Sequence, residues 1–131
     1  MLCYLTAGTN DLEAAGRFYD HVLEPLGIVR AMADAVEIGY RSASAPAVGR
    51  RNRFYILKPY DKRPATFGNG VTIAFEAPDR AAVDRFHARA MAAGGTDEGK
   101  PGLRPFHAHF YAAYVRDLDG NKIAAICEQP E

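Results

Sequence analysis

The chain has 131 residues, of which 48% are hydrophobic and 24% are charged, as expected for one globular domain with an apolar core. Sixteen basic residues balance sixteen acidic ones, which argues against a nucleic-acid or membrane-surface role that depends on bulk charge. No apolar run approaches the roughly 20 residues that span a bilayer. An export signal is not visible and two cysteines make no disulfide framework, so we expect a cytoplasmic protein.

The first half of the chain predicts a strand, a helix and two further strands. Residues 3–7 are predicted to form a strand, and Asn10 followed by Glu13 resembles a capping box at the start of a helix. Apolar residues then recur at the spacing of a helix with one buried face: Leu12, Ala15, Phe18, Val22 and Leu26. Residues 36–40 and 54–57 are predicted strands.

The second half predicts a similar order of elements. Residues 71–75 are predicted to form a strand, and Asp79 is a suitable cap for the helix that follows. Residues 99–105 are predicted as a loop. The chain then predicts two strands, residues 111–115 and 123–127, joined by a hairpin turn.

The two halves match weakly at a constant shift of 68 residues, which places Phe18 on Phe86, for example. We therefore expect a single domain (residues 1–131) built from two similar modules, about 1–62 and about 70–131, with a Pro- and Gly-rich linker between them. A concave site between the modules is the expected consequence of this arrangement.

Alternation along the predicted strands separates two faces of the sheet. The apolar set is expected to face the helices: Leu5, Ala7, Tyr55, Leu57, Val71, Ile73, Phe75, Ile123, Ala125 and Cys127. Cys3 has the same parity, so both thiols are expected to be buried. The other set is mixed: Tyr4, Thr6, Phe54, Ile56, Lys58, Thr72, Ala74, Glu76, Ala124, Ile126 and Glu128. We interpret this mixed set as the lining of a cupped pocket.

Two segments carry a family resemblance: residues 8–27, which include Arg17-Phe18-Tyr19-Asp20, and residues 114–123, which include Asp117-Leu118-Asp119-Gly120-Asn121. On these segments the chain resembles the vicinal oxygen chelate superfamily, which includes glyoxalase I, bleomycin-resistance proteins, fosfomycin-resistance proteins and extradiol dioxygenases. The resemblance implies an α+β fold of two tandem βαβββ modules, whose strands form a curled mixed sheet around a cleft with the helices on the outer face. It also implies a small-molecule ligand and a homodimer.

The metal-using relatives place their metal ligands on the cup face. By the resemblance, the corresponding positions in this chain are Tyr4, Thr72 and Ala124, with Ile56 as a fourth. None of these side chains is a good ligand, because such sites use imidazole nitrogen or carboxylate oxygen. We therefore expect neither a metal nor another cofactor.

Nine residues are candidate ligand contacts, as aromatic walls, charged groups of the cup face or residues of the loop above it: Tyr4, Phe54, Lys58, Thr72, Glu76, Arg104, His107, Tyr111 and Tyr114. No residue is assigned a catalytic role.

Three functions remain open. The predicted one is metal-independent binding or sequestration of an apolar or aromatic compound. The alternative is a divergent metal-dependent lyase or dioxygenase of the glyoxalase type that recruits its metal through His107, His109, Glu76 or Glu128. A purely structural or partner-binding domain is the third.

Overall fold

The computed structural model of the protein describes residues 1–46 and 54–131. Within these ranges the elements follow in the order β1 (Leu5–Gly8), α1 (Leu12–Leu23), a 3-10 turn (Glu24–Leu26), β2 (Ile28–Ala33), β3 (Glu37–Ser42), β4 (Phe54–Leu57), β5 (Ile73–Glu76), α2 (Arg80–Ala92), β6 (Thr96–Leu103), β7 (Tyr111–Arg116) and β8 (Lys122–Cys127). Neither helix of the described ranges is long and apolar enough to cross a membrane.

The two halves of the chain have the same topology. Module one forms a four-stranded sheet in the order β1-β4-β3-β2, and module two forms one in the order β5-β8-β7-β6. The first and last strands of each module are parallel, and the remaining pairs are antiparallel. The predicted α+β fold of tandem βαβββ modules is confirmed. Each module has its own sheet where we had expected one curled sheet.

An aspartate caps each helix. Asp79 accepts a hydrogen bond from the backbone N of Ala82 (2.7 Å), as predicted. The cap of α1 is Asp11, which accepts from the backbone N of Ala14 (3.0 Å), so the prediction of Asn10 was wrong by one residue. The Asn10 amide instead pairs with the backbone of Ala65 and thereby holds the linker.

Two strands, β2 and β6, escaped prediction because neither shows a regular alternation of apolar and polar residues. β6 has the sequence Thr-Asp-Glu-Gly-Lys-Pro-Gly-Leu and covers most of residues 99–105, the predicted loop. β2 and β6 each lie at one edge of their sheet, opposite β1 and β5, and the pairing of each with its neighbour is interrupted by register shifts. Edge strands with bulges tolerate Gly, Pro and charged residues that a central strand would not.

One continuous hydrophobic core joins the modules. It contains residues from both helices and from one face of each sheet. The rings of Phe54 on β4 and Phe75 on β5 meet edge to face with their centroids 5.2 Å apart. The two helices also touch, because Arg89 of α2 donates to the backbone O of His21 and pairs with Glu24 at the end of α1.

The face assignment was correct for β1, β5 and β8 and wrong for β4. Phe54 and Ile56 are 4% and 0% exposed and lie in the core beneath the helices, whereas Tyr55 lies on the opposite face. Thr6 pairs with Tyr55 in module one, but its counterpart Ala74 pairs with Ala124 in module two. If the shift of 68 residues held for every strand, Thr6 would pair with Ile56 and not with Tyr55. A slip of one residue exchanges the two faces of a strand.

The two cysteines lie in different environments. Cys127 on β8 is buried, as predicted, whereas Cys3 precedes β1 and is exposed. The predicted burial of Cys3 was therefore wrong, because the strand begins two residues later than expected.

The turn between β7 and β8 fastens module two to module one. The buried carboxylate of Asp117 accepts hydrogen bonds from the Tyr19 hydroxyl of α1 (2.6 Å) and from the Asn121 amide (2.9 Å). It also accepts from the backbone N of Asp119 and Asn121. Asn121 in turn donates to the backbone O of Gly8 (3.0 Å). Burial, and then the nearby Asp117 carboxylate, raise the pKa of Tyr19 well above its ordinary value.

Candidate functional site

The face of each sheet turned away from the helices is here called its open face. On the open face of module one, Tyr4 lies against Tyr55 with the rings edge to face and their centroids 5.8 Å apart. Tyr4 is 54% exposed. The two rings place aromatic surface at the edge of the sheet where β1 begins.

On the open face of module two, one tyrosine lies in a row of residues with small side chains. The strand pairing places Ala74, Ala124, Tyr114 and Gly99 next to one another across β5, β8, β7 and β6. Alanine and glycine neighbours do not rise above the sheet, so the Tyr114 ring is the largest side chain in this row.

Two cations flank the Tyr114 ring. The Arg104 guanidinium carbon lies 5.5 Å from the ring centroid, and the Lys122 Nζ lies 5.4 Å from it. Both distances are within the range of a cation–π contact. Arg104 also donates to the backbone O of Gly102 (2.9 Å) and Lys100 (2.7 Å).

The residues that the family resemblance places at metal-ligand positions offer poor ligands for a divalent ion. The strand pairing makes Tyr55, in place of Ile56, the counterpart of Ala124. Tyr4, Tyr55 and Thr72 offer neutral hydroxyl groups and Ala124 offers a methyl group, whereas such ions are bound by imidazole or carboxylate. In residues 1–46 and 54–131, no group of three or more His, Cys, Asp or Glu side chains is placed to hold a metal.

The structure brings together two of the four residues of the metal-recruiting alternative. His107 Nε2 lies 3.1 Å from Glu128 Oε1, and the backbone N of His109 donates to His107 Nδ1. This pair lies beside the β6–β7 loop. Glu76 is exposed at the end of β5.

Three predicted contact residues lie away from the open faces. Phe54 belongs to the core, as described above. The Tyr111 hydroxyl donates to Asp84 of α2 (2.7 Å), which raises the pKa of Tyr111. Lys58 is exposed and lines a groove of about 680 Å³ beside the start of α1. The expected cup-face position of Lys58 was wrong for the same one-residue reason as that of Phe54.

Of the other six predicted contacts, Tyr4, Arg104 and Tyr114 lie on the open faces and His107 lies at the loop. Thr72 and Glu76 are exposed around β5. Sequence reasoning missed Tyr55 and Lys122 as site residues. The alternation through Ala124 would have identified Lys122, but Tyr55 required the strand register.

A small cavity of about 170 Å³ separates β1 from module two. Its walls include Thr6 and Gly8 of β1, Phe67 of the linker, Ile73 of β5 and Lys122 of β8. Lys122 therefore contacts both the Tyr114 ring and the space between the modules.

Comparison with known proteins adds the family context. The model of the Glyoxalase/Bleomycin resistance protein/Dioxygenase superfamily matches residues 2–125. The chain is 41% identical to a glyoxalase/bleomycin resistance protein from Albidiferax ferrireducens T118, over 97% of both chains and with a TM-score of 0.82.

More distant structures share the fold. A glyoxalase-related enzyme from Fulvimarina pelagi is 21% identical over 97% of this chain and 87% of its own, with a TM-score of 0.72. Lactoylglutathione lyase from Agrobacterium tumefaciens is 21% identical over 97% of this chain and 92% of its own, with a TM-score of 0.63. No curated protein matches the chain.

Proposed function

The chain belongs to the Glyoxalase/Bleomycin resistance protein/Dioxygenase superfamily, and we propose that it binds a small apolar or aromatic compound on its open faces without a metal ion. One observation carries this proposal. At the positions where the resemblance places the metal ligands of relatives, the open faces have the Tyr4–Tyr55 ring pair, Thr72 and Ala124, and Ala124 pairs with a second alanine, Ala74.

These side chains suit an apolar or aromatic ligand better than a cation. Metal-dependent chemistry needs a Lewis acid that stabilises developing negative charge, and phenol and methyl groups hold such an ion poorly. Aromatic rings instead offer apolar area and favour edge-to-face or offset contacts with a second ring. The proposed function is therefore binding or sequestration of a compound.

We further propose a cytoplasmic homodimer in which a second copy completes the binding site. The open faces of a single chain carry Tyr4 and Thr72 exposed. A ligand pocket typically buries most of the surface of its ligand, so two open faces would enclose a compound better than one. Light scattering at several protein concentrations tests this assembly, and a monomer at all of them would contradict it.

Thermal unfolding with a panel of neutral aromatic compounds tests the binding function. A ligand that binds only the folded state raises the unfolding temperature, and we expect at least one compound to do so equally with and without EDTA. The shift should be lost in Tyr4→Ala and retained in Tyr60→Ala, a control that removes the same side chain from the fully exposed linker. Stabilisation that disappears with EDTA would contradict the proposal.

A divergent metal-dependent lyase or dioxygenase is the second candidate. The contact between His107 and Glu128 favours it, because imidazole and carboxylate are suitable metal ligands. This candidate predicts a metal content that His107→Ala removes from the purified protein. Its failure would leave the binding function in place.

A further inference from the structure

We propose that the open face of module two selects ligands in which a planar ring carries a negatively charged group, with the ring on the small side chains beside Tyr114 and the anion at Arg104 or Lys122. This inference rests on the proposed function, because it assumes that the open face is the binding surface. It adds the charge of the ligand, which neither the fold nor the family match provides.

The two cations contact one ring, so two positive charges lie on the same small part of the open face. The Arg104 guanidinium carbon and the Lys122 Nζ lie at nearly equal distances from the Tyr114 ring centroid, 5.5 and 5.4 Å. Like charges that approach the same small area repel, and the repulsion grows when water is displaced. A carboxylate, sulfonate or phosphonate bound beside the ring would relieve this repulsion and accept a charge-assisted hydrogen bond from one of the cations.

Arg104 is held in place by backbone groups and not by a carboxylate. Its guanidinium donates to the carbonyl oxygens of Gly102 and Lys100. A Cβ atom at Gly99 would lie 3.1 Å from Tyr114 Cδ2 and 3.2 Å from Arg104 Nη2, and one at Gly102 would lie 3.2 Å from Arg104 Nη1. The two glycines therefore give Arg104 room to lie along β6 beside the ring.

Acidic residues on or beside β6 and β8 have other partners. Glu98 of β6 pairs with Arg116 (2.9 Å), and Glu128 contacts His107 (3.1 Å). In the part of the chain that the structure describes, no ion pair includes Arg104 or Lys122. The positive charge around Tyr114 is therefore not neutralised by those residues.

This uncompensated positive charge should favour anionic ligands over neutral ones. A neutral ring placed beside Tyr114 would exclude water from two cations and bring no opposite charge, which is costly. An anionic ligand replaces that water with charge-assisted hydrogen bonds, which are stronger than neutral ones. The same aromatic surface should therefore bind the anionic member of a matched pair of compounds more tightly.

Calorimetric titration of the full chain in EDTA with 2-naphthoate and 2-naphthamide tests the inference, since the two compounds share a ring system and differ in charge. We expect 2-naphthoate to bind about tenfold more tightly, as one charge-assisted hydrogen bond implies. Lys122→Met and Arg104→Met should each remove this preference by weakening the binding of 2-naphthoate, whereas 2-naphthamide should bind no more weakly than to the wild type. Arg85→Met, which removes an exposed charge from α2, should retain the preference.

Two further measurements separate failure of this inference from failure of the proposed function. Added salt should weaken binding of 2-naphthoate and leave that of 2-naphthamide unchanged, which requires no variant to fold. Backbone amide NMR shifts should locate both compounds at Tyr114 and Ala124. Equal affinities at that surface would overturn the inference and leave the proposed function standing. Failure of both compounds to shift open-face residues would overturn both proposals.

Discussion

Replacement of Tyr19 by phenylalanine is the sharpest test of how the two modules are held together. Tyr19 is fully buried, and its hydroxyl donates at 2.6 Å to the buried Asp117 carboxylate. The substitution removes one hydrogen bond to a charged group and leaves the packing of the ring intact. Such a bond contributes about 1.5–3 kcal/mol to the free energy of unfolding.

The surroundings of the carboxylate place the expected loss within that range. Asp117 retains three other donors, the amide of Asn121 and the backbone N of Asp119 and Asn121, so the carboxylate is not left unsatisfied. We therefore expect Tyr19→Phe to lower the free energy of unfolding by about 2 kcal/mol.

Tyr40→Phe is the matched control. Tyr40 is also buried, but its hydroxyl donates to Asp20 (2.9 Å), a carboxylate that is partly open to water and also bound by Arg30. Water can replace the lost donor there, so the expected cost is about 1 kcal/mol or less. The two variants differ chiefly in the burial of the carboxylate, although the Tyr40 hydroxyl also lies 3.4 Å from the backbone O of Gly16.

Urea unfolding of the wild type and both variants measures these free energies by linear extrapolation. Each curve is recorded at several protein concentrations, because a dimer would make the apparent stability depend on concentration. A Tyr19→Phe loss no larger than that of Tyr40→Phe would refute the claim that the Asp117 carboxylate is the main polar link between the modules.

Three further predictions concern pH and packing. Because the folded state raises the pKa of Tyr19, the stabilising effect of Tyr19 should be complete below the ordinary tyrosine pKa of about 10 and decline at higher pH. Urea unfolding between about pH 8 and 11 should therefore show that the free energy of unfolding falls less steeply in Tyr19→Phe than in the wild type. Parallel declines in the two proteins would contradict this. Gly120→Ala should destabilise more than Gly70→Ala, since both glycines have positive φ but only at Gly120 would a Cβ lie 2.5 Å from the Phe67 ring; thermal unfolding measures the difference, and equal losses would show that this contact relaxes freely. Phe54→Ala should cost about 3–5 kcal/mol in urea unfolding, as for other core aromatics, whereas a surface position would cost far less.

The repeat and the family motif were sufficient to predict the modules. The Asp117–Asn121 turn explains why such a motif predicts the fold, since its side chains bond across to Tyr19 and Gly8. The capped helices were also predicted, to within one residue, because caps and apolar spacing are local signals.

The register between strands could not be predicted from the sequence. The spacing between the paired strands β1 and β4 differs by one residue from that between β5 and β8, and this single residue moved Phe54 and Lys58 to the wrong face. Strand faces depend on partners distant in the chain, so alternation within one strand does not determine them. The edge strands β2 and β6 lacked a signal because bulged edges need no apolar alternation.

The prediction of the candidate site was incomplete for the same reason. Tyr114 and Arg104 were identified from their strand and loop, but the relation between them needed the glycines at 99 and 102 and the Lys122 side chain from β8. Contacts between side chains of different strands arise only when the sheet is formed.

Calorimetric titration of EDTA-treated protein with Zn²⁺, Ni²⁺, Mn²⁺ and, without oxygen, Fe²⁺ tests the central claim most directly. The account predicts no saturable binding at the Tyr4, Tyr55, Thr72 and Ala124 positions, while aromatic ligands still bind the metal-free protein. Stoichiometric binding of one of these ions, retained in His107→Ala and required for an aromatic ligand to bind, would contradict it.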